Sequence, residues 1–385
     1  MIPVLEILLL LAVAKAAGEL AERIGYPGLV GEIGAGLILG PSILGLIEPG
    51  VVIEALADLG LILLLFLSGV QTDLKNLASA EMAGSATAVG GIMIPLLLGS
   101  ALGLFFGMDS LTAIFLGVVL SITSIGISIR TLVDEHALST PVGSIIITTA
   151  VIDDIIGILL LAFLMAIAFG DGIVTVLGVA AAGIIFIILM VTVAPSLLGS
   201  FYGRIRRGAS HETAFSAVIC LALGGAALTS LLGLHLAIGA FFVGLALSDR
   251  IRPDRTIEGS LSDLAGGFLI TIFFASIGLS LLISVSTFID PLLLPLIVVA
   301  FISKILGGYL GSRRFLPDSL SALLVGIGIT PRGEMALVVA TVALAGGFIT
   351  DSLYATVTMM VVITVLISPV FLRWGFKAHR QAGDA

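Results

Sequence analysis

Apolar residues run along the whole chain in blocks, and short clusters of Gly, Pro and charged residues separate the blocks. A block of about 20 such residues crosses a bilayer core of about 30 Å as a helix. Hydropathy and this punctuation predict about thirteen spans, at 2–22, 28–46, 52–70, 80–105, 111–132, 143–169, 172–199, 213–231, 235–249, 263–285, 291–311, 319–342 and 350–373. The expected fold class is therefore an all-α polytopic membrane protein. The positive-inside rule tests the count internally. Of the 17 lysines and arginines, all but Lys15, Lys304 and Arg332 lie after odd-numbered spans, from Arg23 and Lys75 through Arg130, Arg204/Arg206/Arg207, Arg250/Arg252/Arg255 and Arg313/Arg314 to Arg373/Lys377/Arg380. The pattern places the N-terminus outside and the C-terminus in the cytoplasm of a multi-pass protein in the cytoplasmic membrane.

Two spans carry helix-weakening sequence at matching depth. Span 5 holds Ser121-Ile122-Thr123-Ser124-Ile125-Gly126-Ile127-Ser128, and span 12 holds Gly326-Ile327-Gly328-Ile329-Thr330-Pro331-Arg332-Gly333-Glu334. Pro331 lacks a donor and its ring collides with the carbonyl of Ile327, so span 12 unwinds or kinks there. Interrupted helices in corresponding positions of two halves point to the binding site of a secondary transporter. Spans 5 and 12 differ by an odd number, so equivalent helices run in opposite directions: spans 1–6 and 8–13 read as inverted repeats joined by span 7.

The candidate chemistry sits in the middle of the spans. Asp153 and Asp154 lie about midway along span 6, where a charged side chain costs at least ~2.5 kcal/mol and must face protein or water. Adjacent residues on a helix point about 100° apart, so the pair cannot share one proton face to face, and one can face an ion cavity while the other faces a protein partner. Thr149 stands one turn before Asp153, and Gly157 leaves room for a neighbouring backbone. Lys304, in Phe301-Ile-Ser-Lys-Ile-Leu-Gly-Gly, is the natural partner for one aspartate; Arg332 also lies deep and needs an anion. Ser121, Ser124 and Ser128 share a face of span 5, with Thr123 at the break. Hydroxyls and freed carbonyls there supply the hard oxygen ligands a small monovalent cation needs; the alternative use is to bond back to their own helix. Pro331, Arg332 and Glu334 read as helix-break and gating residues, with Arg332 and Glu334 pairing with each other or with span 5. Lys15 lies close enough to an end to snorkel, and Glu32 reads as an ordinary interfacial carboxylate. Asp58, His136, His211 and His235 lie near ends or loops.

Composition narrows the field further. The chain is 59% hydrophobic and 11% charged over 385 residues, with mean hydropathy +1.27 and 47 glycines, which suits a helical membrane protein and not a soluble domain. The lone Cys220 forms no intrachain disulfide and no cysteine metal cluster. No basic run, phosphate-binding glycine loop or zinc spacing appears, so nucleic acid and nucleotides are not expected partners. The first span has Glu6 and no early basic residue, so it reads as a membrane helix rather than a signal peptide. The longest charged loop, Asp249 to Asp263, is too short to fold alone, and the tail from Arg380 reads as a solvated end.

These residues carry a resemblance. Thr149-Ala-Val-Ile-Asp-Asp154, Thr123-Ser124-Ile-Gly-Ile, Ser303-Lys304-Ile-Leu-Gly-Gly308, Pro331-Arg-Gly-Glu334 and Gly31-Glu-Ile-Gly-Ala-Gly-Leu-Ile-Leu-Gly-Pro41 together resemble the second monovalent cation:proton antiporter family, and within it the NapA-type sodium/proton antiporters, nearly end to end. The resemblance implies an NhaA/NapA-like antiporter fold of thirteen helices with two crossed broken helices, and a homodimer. Residues 1–75 and 206–288 would be scaffold and dimerisation helices 1–3 and 8–10. Residues 76–170 and 289–385 would be core helices 4–6 and 11–13, with 171–205 as linking helix 7. It implies that Asp154 binds either the cation or a proton, that Asp153 pairs with Lys304, and that Thr123, Ser124 and the span 12 break cross beside them. The Asp-Asp pair with a core lysine is the pattern of electrogenic members. The expected function is exchange of Na⁺ or Li⁺ for H⁺ by alternating access, with a K⁺/H⁺ antiporter as the near rival; no cofactor and no enzymatic chemistry are expected. An intramembrane aspartyl protease needs aspartates on two facing helices, whereas these are sequential on one. A passive channel fits poorly with buried opposite charges in an inverted repeat.

Overall fold

The computed structural model describes residues 3–24, 26–72, 80–169, 173–232, 236–281 and 285–383, and all regular structure among them is helical. The chain begins with α1 (Pro3–Arg23), α2 (Gly28–Leu39), α3 (Val51–Gln71) and α4 (Glu81–Phe105), then divides its fifth span into α5 (Ser110–Ser121) and α6 (Ile125–Asp134). There follow α7 (Pro141–Phe169), α8 (Ile173–Thr192), α9 (Ala194–Gly208), α10 (His211–Leu231) and α11 (Leu236–Ile251). A helix α12 (Arg255–Leu264) passes through a π-helical turn, Ala265–Leu269, into α13 (Ile270–Ser280); then come α14 (Leu293–Ser312), α15 (Ser319–Gly328), α16 (Glu334–Ala345) and α17 (Asp351–Gly383).

Among the described residues, seven helices are long and apolar enough to cross a bilayer, including Glu81–Phe105, Ser110–Asp134 and Leu293–Ser312. The pair Ala181–Thr192 and Ala194–Gly208, bent by 53°, makes an eighth if taken as one span. The two interrupted spans start alike. Asp109 caps α5 by accepting from the Leu111 and Thr112 amides at 3.0 and 3.2 Å. Asp318 caps α15 by accepting from the Ser321 amide at 2.7 Å. Each cap satisfies amides that the first turn of a helix leaves without an internal partner.

The longest contacts run along α4 with α14, α4 with α5, and α3 with α11; α1 and α2 pack together and against α13, and α14 packs along α15 and α17. Helices buried in lipid associate through close backbone approach, which small residues permit. Gly90 of α4 and Gly307 of α14 do this for each other: a Cβ on either would run into the other's backbone carbonyl. That approach brings α14 tightly onto α4, so that the neighbouring Gly91 sits beside the Lys304 ammonium, 3.6 Å from where a Cβ would stand.

Three sequence expectations change. Lys15 does not simply snorkel: its Nζ donates to the Gly266 carbonyl at 2.7 Å and lies 3.6 Å from Glu32 Oε1. Glu32 is not interfacial but buried, and accepts from Thr271 Oγ1 at 2.8 Å. The π-turn carries the Gly266 carbonyl that meets Lys15, and Thr271, two residues beyond its end, meets Glu32. The tail from Arg380 is solvent-exposed, as expected, but it is also helical and tied down. Helix α17 continues to Gly383, and Arg380 and Arg373 reach Glu135 at 2.6 and 3.4 Å, while Arg373 also donates to the Tyr26 carbonyl at 2.7 Å. Buried Leu372 and Phe376 give the helix an apolar face that carries it past the membrane span.

Candidate functional site

The break in the fifth span comprises residues 122–124, with Ile122 and Ser124 in extended conformation between α5 and α6. The break in the twelfth comprises residues 329–333, between α15 and α16, with Pro331 inside it as its missing N–H demands. The two breaks bond directly: the Ser124 amide donates to the Pro331 carbonyl at 2.7 Å. Ser128 Oγ crosses in the same place, donating to the Gly328 carbonyl at 2.6 Å. Gly333 permits the approach, since a Cβ there would stand 2.6 Å from Ser124 Oγ.

Against this crossing α7 presents its carboxylates. Thr123 Oγ1 donates to Asp153 Oδ2 at 2.6 Å and accepts from Lys304 Nζ at 2.7 Å, while Lys304 Nζ lies 3.0 Å from the same Asp153 oxygen. Lys304 is 0% and Asp153 1% exposed, so the pair is sealed from solvent. Removing an ion pair this completely from water is costly, and what offsets the cost is close geometry plus further hydrogen bonds, which Thr123 supplies. The other oxygen, Asp153 Oδ1, has no hydrogen bond among the described residues. Asp154 follows on the next helical position and is also buried. A cavity of about 400 Å³ between α4, α7, α8 and α11 is lined by Thr148, Val151 and Ile152 of α7, by Phe242, and by the carboxylate Glu81. Asp154 is not among the residues that line it: at about 100° per residue it points well away from the face formed by Thr148, Val151 and Ile152. Gly157 lies against the break: a Cβ there would be 3.4 Å from Ile122 Cγ1. Thr149 Oγ1 donates to the Gly84 carbonyl at 3.3 Å, tying α7 to α4.

Arg332 meets span 5, one of the two pairings expected of it, but through backbone carbonyls rather than an anion. Its guanidinium donates to the carbonyls of Thr330 at 2.6 Å, Leu120 at 2.9 Å and Ala300 at 2.7 Å, and it is fully buried. Broken helices leave carbonyl groups without partners, and the end of a half-helix carries negative partial charge; the oxygens of Leu120 and Thr330 at the two breaks, with the Ala300 carbonyl of the unbroken α14, thus do the work of a carboxylate. The side chain of Glu334, the first residue of α16, lies outside the described residues, as does His235. Ser121 bonds back to the Val118 carbonyl of its own helix at 2.8 Å, which removes it from the crossing.

The sequence reading passed over two hydroxyls. Thr330 Oγ1 donates to Ser368 Oγ at 2.8 Å, and the Arg332 amide reaches Thr364 Oγ1 at 3.4 Å, so α17 braces the second break. The signal was present: Thr364 and Ser368 are four apart, on one face of a helix. Among the described residues no three His, Cys, Asp or Glu side chains gather as a metal cluster.

Comparison with known proteins agrees with this architecture. Residues 7–378 match the family model described as sodium/hydrogen exchanger, transmembrane. A Na(+)/H(+)-K(+) antiporter, GerN, of Bacillus cereus is 31% identical over 380 residues, covering 99% of this chain and 98% of that protein. A Na(+)/H(+) antiporter of Enterococcus hirae is 33% identical over 379 residues, covering 96% and 97%. The solved structure of the sodium proton antiporter MjNhaP1 from Methanocaldococcus jannaschii superposes with a TM-score of 0.67 at 19% identity, covering 94% of each chain, and shares the fold. A polytopic helical chain with two interrupted helices meeting at buried carboxylates, matched end to end in this way, belongs to the sodium/hydrogen exchanger family of monovalent cation:proton antiporters, which are transporters and not enzymes.

Proposed function

We propose that this protein exchanges Na⁺ or Li⁺ for H⁺ across the cytoplasmic membrane, and that Asp154 is the side chain on which cation and proton alternate. The observation that carries the reading is the Ser124–Pro331 bond between two interrupted helices, made beside the Asp153–Thr123–Lys304 cluster on the helix that bears Asp154. A carboxylate that must lose its proton to take a cation couples the two ions by competition. An empty charged site crosses an apolar barrier at high cost, so only a loaded form moves. Thr123, Ser124 and the freed carbonyls of the breaks supply oxygen to a dehydrated cation. Asp153 and Lys304 hold the local geometry; one Na⁺ for one H⁺ at Asp154 moves no net charge, so electrogenic exchange requires this pair to open and carry a second H⁺ per cycle.

The same reading takes the NapA-type branch, thirteen spans, the N-terminus outside, a homodimer, and an elevator-like motion of residues 76–170 and 289–385 against a scaffold of 1–75 and 206–288, with 171–205 linking them. The packing of α4 on α14, α5 and α7, separate from that of α3 on α11 and α13, supports this division. K⁺/H⁺ exchange is the second reading, favoured by the K⁺ in the name of the Bacillus cereus relative.

The test is transport by the purified protein in vesicles carrying a pH-sensitive dye and a membrane-potential probe, scanned over Na⁺, Li⁺ and K⁺ and over pH. Competition at one carboxylate requires the apparent affinity for Na⁺ to weaken as pH falls. Exchange that persists in Asp154→Asn removes Asp154 from its role, and K⁺ displacing Na⁺ at equal concentration favours the second reading.

A further inference from the structure

A second polar cavity, of about 670 Å³, opens beside α9 and shares no residue with the helix crossing. Arg204, Arg206 and Arg207 of α9 and Arg250 of α11 line it, with Tyr202 and one carboxylate, Asp254. That carboxylate is already engaged. It accepts from Tyr202 Oη at 2.9 Å and from Arg206 Nε at 2.5 Å, and it caps α12 by accepting from the Ile257 amide at 3.5 Å. Arg207 uses only its Nε internally, donating to the Gly203 carbonyl at 3.0 Å. Arg204 and Arg250 form no hydrogen bond or ion pair among the described residues. Four guanidinium groups therefore face a single, occupied carboxylate. Like charges at this spacing repel, and an anion with several oxygens relieves the repulsion while matching the planar donor forks of arginine.

The surroundings say what kind of anion. The 53° bend at Val193 turns α9 away from α8, and α9 is amphipathic. Leu197 is 64% and Phe201 49% exposed, and with Arg204 they stand at i, i+4 and i+7, on one face. Val193 and Leu189, also exposed, continue the strip toward the membrane span. An apolar strip that ends in a basic pocket is the shape of a helix lying at a membrane interface, and basic pockets between membrane helices suit anionic headgroups. We propose that this cavity binds a phosphate-bearing anion between Arg204, Arg207 and Arg250. A phospholipid headgroup and free phosphate share that chemistry, and acyl chains laid on Leu197 and Phe201 make the lipid the better fit.

The experiment uses the full chain in neutral detergent. Its melting temperature and the adducts it retains in native mass spectrometry are read with added phosphatidylglycerol, phosphatidylcholine or inorganic phosphate. Phosphatidylglycerol is expected to raise the melting temperature and to remain bound, and phosphatidylcholine to do neither. At about fivefold in affinity per arginine, Arg204→Gln/Arg207→Gln weakens retention by on the order of twentyfold or more, whereas Arg204→Lys/Arg207→Lys keeps most of it. A shift from inorganic phosphate that the glutamine variant loses also supports the site and identifies free phosphate as its source. Where the double variant fails to fold, Arg250→Gln gives the same reading through its ratio of phosphatidylglycerol to phosphatidylcholine adducts. Equal retention by the glutamine variant and the unaltered chain, equal binding of the two lipids, or no shift with any anion overturns the proposal.

Discussion

Two clusters in this molecule are built from the same four parts: a lysine, a carboxylate, a threonine and a carbonyl at a helix irregularity. In the first, Lys304, Asp153 and Thr123 meet at the crossing, where the Ile329 carbonyl lies 3.4 Å from Thr123 Oγ1. In the second, Lys15 and Glu32 meet beside Thr271 and the Gly266 carbonyl of the π-turn. They differ in exposure and in what stands next to them. The Lys304 side chain is fully buried and its ion pair spans 3.0 Å; that of Lys15 is 43% exposed and its pair spans 3.6 Å. The first carboxylate has a second, Asp154, on the adjacent position and two broken helices against it; the second has a π-turn. Under the proposed function, the same chemistry serves transport in one place and helix packing in the other. Burial and a neighbouring carboxylate make that difference, not residue type.

Substitutions sharpen this contrast, and the largest effect is expected at Asp154. Asp154→Asn should reduce Na⁺-driven proton movement in vesicles at least about 100-fold, as loss of an essential proton-transferring group does. Glu32→Gln should leave the rate within about twofold, and a loss at Glu32 as deep as that at Asp154 would erase the distinction between the clusters. Next comes Lys304→Ala, which strands a buried carboxylate and should cost about 3–5 kcal/mol of stability. Thermal melting in detergent reads it, and Asp153→Ala/Lys304→Ala should recover part of the loss because no uncompensated charge remains. Arg332→Gln replaces a donor fork that serves three carbonyls with a single amide group, and leaving one of those buried carbonyls unsatisfied costs about 1–3 kcal/mol. Its melting temperature should fall by less than that of Lys304→Ala. The smallest effect belongs to Lys15→Met: a half-exposed pair contributes about 0–1 kcal/mol, so melting and transport should both change little.

Much was legible along the chain. Asp153, Asp154, Lys304 and Arg332 announced themselves because charge in the middle of an apolar block has few explanations, and Pro331 marked a break because a residue without an N–H cannot continue the ladder. The matching interruption at residues 121–128 then paired two halves that no local feature connects. Glu32 misled because depth in a span is not burial: its place near the start of a short helix says nothing of the π-turn that α13 brings to it. Arg332 misled for a related reason. Counting carboxylates ignores backbone oxygen, and the carbonyls of Leu120 and Ala300 are available to it only because α5 ends and α14 passes where they do.

By itself, then, the order of residues determined that this is a polytopic helical chain, where its helices break and which side chains stand too deep to be idle, since hydropathy, proline chemistry and the cost of buried charge act along the chain. Tertiary structure alone decided which acid the lysine meets, that the two breaks bond at Ser124 and Pro331, and that Arg332 is satisfied by carbonyls. Those partners are separated by tens to hundreds of residues, and only the packing of one helix on another, through contacts such as Gly90 on Gly307, brings them within hydrogen-bond reach.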